Sequence, residues 1–418
     1  MTERSFDNLR IDSDRLWRSL MEMAEIGATE KGGVCRLALT DEDKEGRDLF
    51  VRWCEEAGCM VSVDKLGNIF ARRPGKDDGK PPIMTGSHLD SQPSGGKFDG
   101  AYGVLAGLEV IRSLNDHGIE TEAPVEVSVW TNEEGSRFAP SMVGSYTFIG
   151  GHDLDFALAC ADLDGKTMGE ELERIGYAGD APVGGRPIGA FFETHIEQGP
   201  ILEAEEKTIG VVTGVQGIHW FDASFTGRES HAGPTPMAVR RDSLVGAARV
   251  IEGVNRMGHA HQPGACATVG HIQAWPNSRN VIPGRTTMQI DLRHPDATTL
   301  DGMGRELETL VRQTAVDLNL EWTFEQVMNS APAIFDGDCV AAVRGGAERG
   351  GYGHMDITSG AGHDACAMSK VAPTAMVFVP CEDGVSHNEL ESATPDDLAA
   401  GCNVLFHAML ERAMAEDE

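Results

Sequence analysis

Five short polar clusters interrupt a chain otherwise patterned for helices and strands: GSHLDS, KFDG, TNEEGSRF, ETHIEQGP and VSHNELE. They supply His88, Asp90, Asp99, Glu133, Glu134, His195, Gln198 and His387. Singly, each has an ordinary explanation. A lone histidine at a strand end is more often structural, an Asp-Gly pair is often a turn or helix cap, and adjacent glutamates are usually solvated. Taken together, imidazoles and carboxylates in this mixture suit a borderline-soft divalent cation. One carboxylate can bridge two ions while each ion keeps a histidine. Glu134 is then a ligand, and Glu133, one position earlier, faces the opposite side as a general base. Metal coordination lowers the pKa of water, and a neighbouring carboxylate takes its proton. Asp90, two residues after His88, is suited to hold the second ring nitrogen of that histidine.

These clusters need elements to carry them. SDRLWRSLMEMAEI places Leu16, Leu20, Met23 and Ile26 on one helical face, with Gly27 as a stop. Thr40 and Asp43 form a capping-box pattern ahead of a second helix running through Ala57. MVSVDKLGNIFARR and PPIMTGSH read as strands, GAYGVLAGLEVIRSLNDH as an apolar helix, and VEVSVWTNEE as an alternating strand. This rhythm predicts an α/β domain with a mixed, mostly parallel sheet and helices on both faces. The clusters fall where such sheets bind ligands, beyond the carboxyl ends of strands.

From about residue 213 the texture changes. GIHWFDASFTG, the helix MAVRRDSLVGAARVIEGVNRM, ATVGHIQAW, RTTMQIDLRH, a helix from TLDGMG to NL, and EWTFEQV give a β-α-β-β-α-β order. That order predicts an inserted ferredoxin-like domain at residues 213–330, between two parts of one catalytic domain at 1–212 and 331–418.

Composition narrows the function classes. With 41% hydrophobic and 24% charged residues, the 418-residue chain is globular. A net charge of −31 argues against nucleic acid and anionic membrane as partners. It also repels an anionic substrate at long range, so a carboxylate substrate needs a local cationic clamp. The nine cysteines form no C-x-x-C pair and read as small buried residues. The charged N-terminus lacks an apolar signal region, and a cytoplasmic enzyme is the expectation.

The order His88, Asp99, Glu133-Glu134, His195, His387 resembles the aminoacylase/carboxypeptidase clan of two-metal hydrolases. Within it, the sequence resembles the N-carbamoyl-L-amino-acid hydrolase, β-ureidopropionase and allantoate amidohydrolase family over nearly its whole length. ETHIEQGP carries the distinction, because clan peptidases use an acidic residue where this family, like this chain at His195, has histidine. SQPSGGKFDGAYGVLAGLEV resembles the carbamoylase and ureidopropionase branches. The resemblance implies two divalent ions per subunit, drawn from zinc, manganese, cobalt or nickel. It puts His88 and His195 on separate ions, Asp99 between them, Glu134 and His387 completing the shells, and Glu133 as base. It further implies a homodimer formed through the inserted domain.

The insert carries its own candidates. SHAGPTPM contains His231, and NSRNVIPGRTTMQIDLRH contains Asn280 and Arg293. An arginine in a largely apolar strand is either salt-bridged to a local acid or a bidentate clamp on a carboxylate. The resemblance implies the clamp, assisted by Asn280, with His231 stabilising the transition state, and Gln198 and His363 (in the Gly-rich loop SGAGHDA) contacting substrate. The expected reaction removes the carbamoyl group of an N-carbamoyl-L-amino acid. Cleavage of N-carbamoyl-β-alanine or allantoate is the alternative. A peptidase or aminoacylase is disfavoured by His195, and a non-catalytic binding protein by the presence of every ligand and the base.

Overall fold

The computed structural model describes residue 6 and residues 8–415, which divide into two compact units: residues 214–333, and the rest of the chain. The strands, in chain order, are β1 (Met60–Val63), β2 (Ile69–Arg73), β3 (Ile83–His88), β4 (Val125–Trp130), β5 (Ala190–Ile196), β6 (Ile209–Val215), β7 (Gly217–Thr226), β8 (Ser230–His231), β9 (Cys266–Trp275), β10 (Val281–Ile282), β11 (Arg285–His294), β12 (Glu321–Ser330), β13 (Ala333–Ile334), β14 (His354–Ser359) and β15 (Thr374–Val379).

In the larger unit a nine-stranded sheet has the order β1-β2-β4-β3-β5-β15-β6-β13, with β14 beside β6. Its centre, β4-β3-β5-β15, is parallel, and β1-β2, β2-β4 and β15-β6 are antiparallel pairs. All positions of β3, β4, β5 and β15 are buried. The alternation read in VEVSVW is therefore not a solvent face. Glu126 pairs with Arg72 and Arg186, and the Ser128 hydroxyl donates to the Thr85 carbonyl, so both polar residues are satisfied inside the sheet.

The helix Ala101–Asp116 is buried on most of its circumference. Its buried Glu109 accepts a fork from Arg15 at 2.8 and 2.7 Å, which ties it to the helix Ser13–Ala24. That first helix buries Leu16, Leu20 and Met23 as its spacing predicts. Ahead of the helix Asp41–Glu56, Thr40 accepts the Asp43 N–H, but the reciprocal half of the capping box is not made. The Asp43 carboxylate goes instead to the Leu39 N–H and to buried Arg47, because a buried guanidinium needs a partner more than a solvated cap does.

In the smaller unit, a four-stranded antiparallel sheet has the order β12-β7-β11-β9. Helices Ser243–Ala260 and Ala297–Leu318 bury Val250, Val254, Met257, Leu300, Met303 and Leu307 against Phe221, Phe225, Met288 and Leu292. This is the ferredoxin-like arrangement. The first of these helices starts later than the pattern from Met237 implies. Asp242 caps it by accepting the Leu244 and Val245 N–H groups, and Met237–Val239 forms a separate short 3-10 turn after Pro236. Among the described residues, no helix is long and apolar enough to cross a membrane.

Candidate metal centre

The carboxyl edge of the four parallel strands gathers the polar clusters. His88 ends β3, Glu133 and Glu134 follow β4, His195 lies near the end of β5, and His387 follows β15. Asp99 precedes the helix Ala101–Asp116. Its Oδ1 is 3.5 Å from His88 Nε2 and 3.2 Å from His195 Nε2, while its Oδ2 is 3.5 Å from His387 Nε2. His387 Nε2 is also 3.4 Å from Glu134 Oε2. The donors fall into two groups on either side of one carboxylate: His88, Asp99 and His195, then Asp99, Glu134 and His387. Within each group the ligand atoms lie within 4.8 Å of one another. This corrects the expected division, which put His88 and His195 on separate ions. Adjacent parallel strands β3 and β5 bring those two rings to the same carboxylate oxygen.

The main chain orients both rings. His88 Nδ1 is 2.8 Å from the Asp90 carbonyl oxygen, and His195 Nδ1 is 2.9 Å from that of Ile196. With a metal bound, each Nδ1–H would donate outward to these carbonyls and each Nε2 would offer its lone pair to the ion, as in a metal-ligating histidine. Asp90 thus holds His88 through its carbonyl, not its side chain. Its carboxylate instead accepts the Glu133 and Glu134 N–H groups, both at 3.2 Å, and fixes the turn after β4.

Charge balance favours a cation here. Burial pushes the Glu134 carboxyl up to about 8, with Asp99 adding to it. Burial raises Glu133 well above the usual range against the opposing pull of His88, and the charges of Asp364, Glu134 and Asp90 add to the rise. Asp99 is opposed by its burial, yet the His195 and His88 rings hold it well below the carboxylate range. Acidic groups packed this closely accept a divalent ion readily. The donor set therefore suits divalent metal.

The remaining site residues occupy specific places. Glu133 Oε2 lies 3.5 Å from His88 Nε2. Gln198, in left-handed backbone at φ 59, donates from Nε2 to Asp99 Oδ2 at 2.8 Å. His363 is buried, 3.0 Å from the Ser359 hydroxyl, with its ring edge-on to His195 at 4.7 Å between centroids. Burial and the neighbouring His195 keep it neutral, with its pKa well below normal.

In the smaller unit, the short ribbon β8-β10 pairs His231 with Val281, and the Ala232 N–H donates to the Asn280 carbonyl at 2.8 Å. The structure so brings His231 and Asn280, both exposed, together at this ribbon. Arg293 is elsewhere, on β11, where Asp291 receives its Nε at 3.0 Å and its Nη2 at 2.9 Å. The Trp220 indole N–H donates to the same carboxylate.

Sequence reasoning passed over several polar residues around Asp99. Glu391 and Ser386 sit within the VSHNELE cluster, Glu193 opens ETHIEQGP, and Gln92 donates to Glu134 at 2.6 Å. Glu193 is wholly buried and accepts the Ser87 hydroxyl and the Ala365 N–H, each at 2.8 Å.

A mostly parallel sheet carrying this centre at its carboxyl edge, with a ferredoxin-like insert, defines a metal-dependent hydrolase of amide bonds. The chain belongs to the family described as peptidase family M20/M25/M40, whose sequence pattern matches residues 84–411. It is 52% identical to an N-carbamoyl-L-amino-acid amidohydrolase of Rhizobium meliloti, over 97% of this chain and 98% of that one. It is 37% identical to an N-carbamoyl-L-amino acid amidohydrolase of Geobacillus stearothermophilus, over 97% and 100% of the two chains. The crystal structure of an amidase of the hydantoinase/carbamoylase family from Burkholderia multivorans superposes with a TM-score of 0.95 at 63% identity, covering 97% of this chain and 99% of that one.

Proposed function

We propose that the chain is a two-metal amidohydrolase that converts N-carbamoyl-L-amino acids to the amino acid, ammonia and carbon dioxide. The observation that carries this reading is the double donor group around Asp99, three of whose members are histidines. Relatives named for this activity support the substrate class.

His88 and His195 would hold one ion, Glu134 and His387 the other, and Asp99 both. Zinc, manganese, cobalt or nickel would suit these donors. Bound ions supply Lewis acidity and a water of lowered pKa. Glu133 would take a proton from the attacking water and return it to the leaving nitrogen of the ureido group. Its buried, acid-lined position raises its basicity, the direction a general base requires. The carbamate released then decomposes to ammonia and carbon dioxide. Arg293 and Asn280 read the substrate carboxylate, His231 stabilises the developing oxyanion, and Gln198 and His363 border the substrate.

A substrate panel with each metal added back tests this. It compares N-carbamoyl α-amino acids, N-carbamoyl-β-alanine, allantoate, N-acetyl amino acids and dipeptides. Preference for the first is expected; preference for N-acetyl amino acids or dipeptides would contradict it. The same reading makes the enzyme a homodimer paired through residues 214–333, with His231 serving the partner's site. Its support is the pair of exposed edge strands, β9 and β12, which carry Ile272 and Val327 at 44% and 51% exposure. Restored activity on mixing Glu133→Gln and His231→Ala chains is the expected sign of sharing.

A further inference from the structure

The loop after β15 carries His387 away from regular structure, and what fixes it beside Asp99 is a buried side chain four residues on. Glu391 is 6% exposed. Its Oε1 accepts the main-chain N–H groups of Phe98 at 2.8 Å and Asp99 at 3.1 Å. Its Oε2 is 3.3 Å from the Ser386 hydroxyl, which in turn is 2.6 Å from Asp99 Oδ2. Asp99 is therefore gripped at both ends by residues that flank His387. A Cβ on Gly96 would fall 2.0 Å from the Glu391 carboxyl carbon, so this carboxyl packs flush on the Gly96 backbone. A second lateral tie of the same loop, Lys31 to Glu389 at 3.2 Å, has a 78% exposed lysine, and pairs of that kind hold little.

His88 and His195 do not depend on this grip. Both end or nearly end buried strands, and main-chain carbonyls orient both rings. His387 has neither support; its side chain is 49% exposed and its backbone is left-handed at φ 52. We propose that Glu391, acting through Ser386 and the Asp99 main chain, is the positioning residue that sets the spacing between Asp99 and His387, and so governs retention of the ion shared by Asp99, Glu134 and His387. This rests on the two-ion reading given above.

The test is equilibrium dialysis of the full chain against zinc(II) alone, with bound metal counted by elemental analysis and folding followed by thermal unfolding. Wild type is expected to hold two equivalents. Glu391→Ala should keep one equivalent tightly and bind the second about tenfold to a hundredfold more weakly, the usual effect of removing a group that orients a ligand. Glu391→Gln should stay close to wild type, because its amide oxygen accepts the same two N–H groups and its nitrogen can donate to Ser386. Glu391→Ala binding both ions like wild type, or losing both together, would overturn the inference. If Glu391→Ala does not fold, Ser386→Ala decides: weakening of one ion supports the assignment and unchanged binding overturns it. A wild-type chain holding fewer than two equivalents contradicts the two-ion reading itself, and this inference with it.

Discussion

Gly100 offers a sharp test of how the centre is built. It precedes the helix Ala101–Asp116 with φ 66 and ψ −52, a conformation that strains any residue with a side chain. An added Cβ would sit 2.3 Å from His88 Cε1 and 2.4 Å from both ring nitrogens. Carbon–carbon contact is comfortable near 3.5 Å, so the ring must retreat by about 1.2 Å. A histidine–zinc bond is roughly 2.0–2.1 Å and tolerates about 0.2 Å. Gly100→Ala should therefore remove His88 as a ligand, lowering metal affinity and turnover by more than about a hundredfold, beyond the effect of losing a merely supporting group. Gly118→Ala is the control: its φ is 59, and its added Cβ meets nothing within 4 Å. That substitution carries only backbone strain, about 1–3 kcal/mol, and should lower the melting temperature while leaving bound metal intact. Metal content by elemental analysis and thermal unfolding read both variants. A Gly100→Ala protein with wild-type metal affinity would refute the placement of His88 as a ligand.

Glu133→Gln should retain metal and lose at least about two orders of magnitude in turnover, as expected for a lost base, whereas Glu134→Gln should lose metal; the opposite pattern would exchange their roles. Arg293→Ala and Arg293→Lys should each depress kcat/KM strongly for an N-carbamoyl amino acid, by the equivalent of about 2–5 kcal/mol for Ala. Both should do little to its carboxamide, and an unchanged acid-to-amide ratio would leave Arg293 as the partner of Asp291 alone. Asp64 is a carboxyl pushed by burial from 3.8 to about 6, against the hydrogen bonds it accepts from Asn68 and Leu66. The folded chain then holds a proton that the unfolded chain has released, so this group's stabilising contribution is full below pH 3.8 and is lost as pH rises through about 6. Denaturant titrations of Asp64→Asn across that window should show a flatter pH dependence than wild type; parallel curves would exclude the effect.

Strand ends were the most legible feature of the sequence, because a polar His, Asp or Glu cluster following an apolar run marks where a parallel sheet presents side chains. The ferredoxin-like order was readable from periodicity as well. What sequence could not supply was pairing at long range. Glu391 stood inside a recognised cluster, yet its role depends on Phe98, 293 residues away. The grouping of His88 with His195 follows from the adjacency of β3 and β5, which no local pattern encodes. The burial of Glu126 and Ser128 in β4 has no local signal, because their partners, Arg72, Arg186 and the Thr85 carbonyl, lie on other segments. At the start of the helix Ser243–Ala260, the apolar spacing ran on past Asp242, although that residue's capping preference was the better guide.

The most direct test of the central claim is metal reconstitution on a defined substrate. Protein stripped by a chelator and verified metal-free should be inactive on an N-carbamoyl-L-amino acid. Stepwise addition of a divalent ion should restore hydrolysis, with free amino acid and ammonia appearing in equal amounts. Full activity of the metal-free protein, or inactivity of the metal-replete protein on every ureido acid offered, would contradict the account.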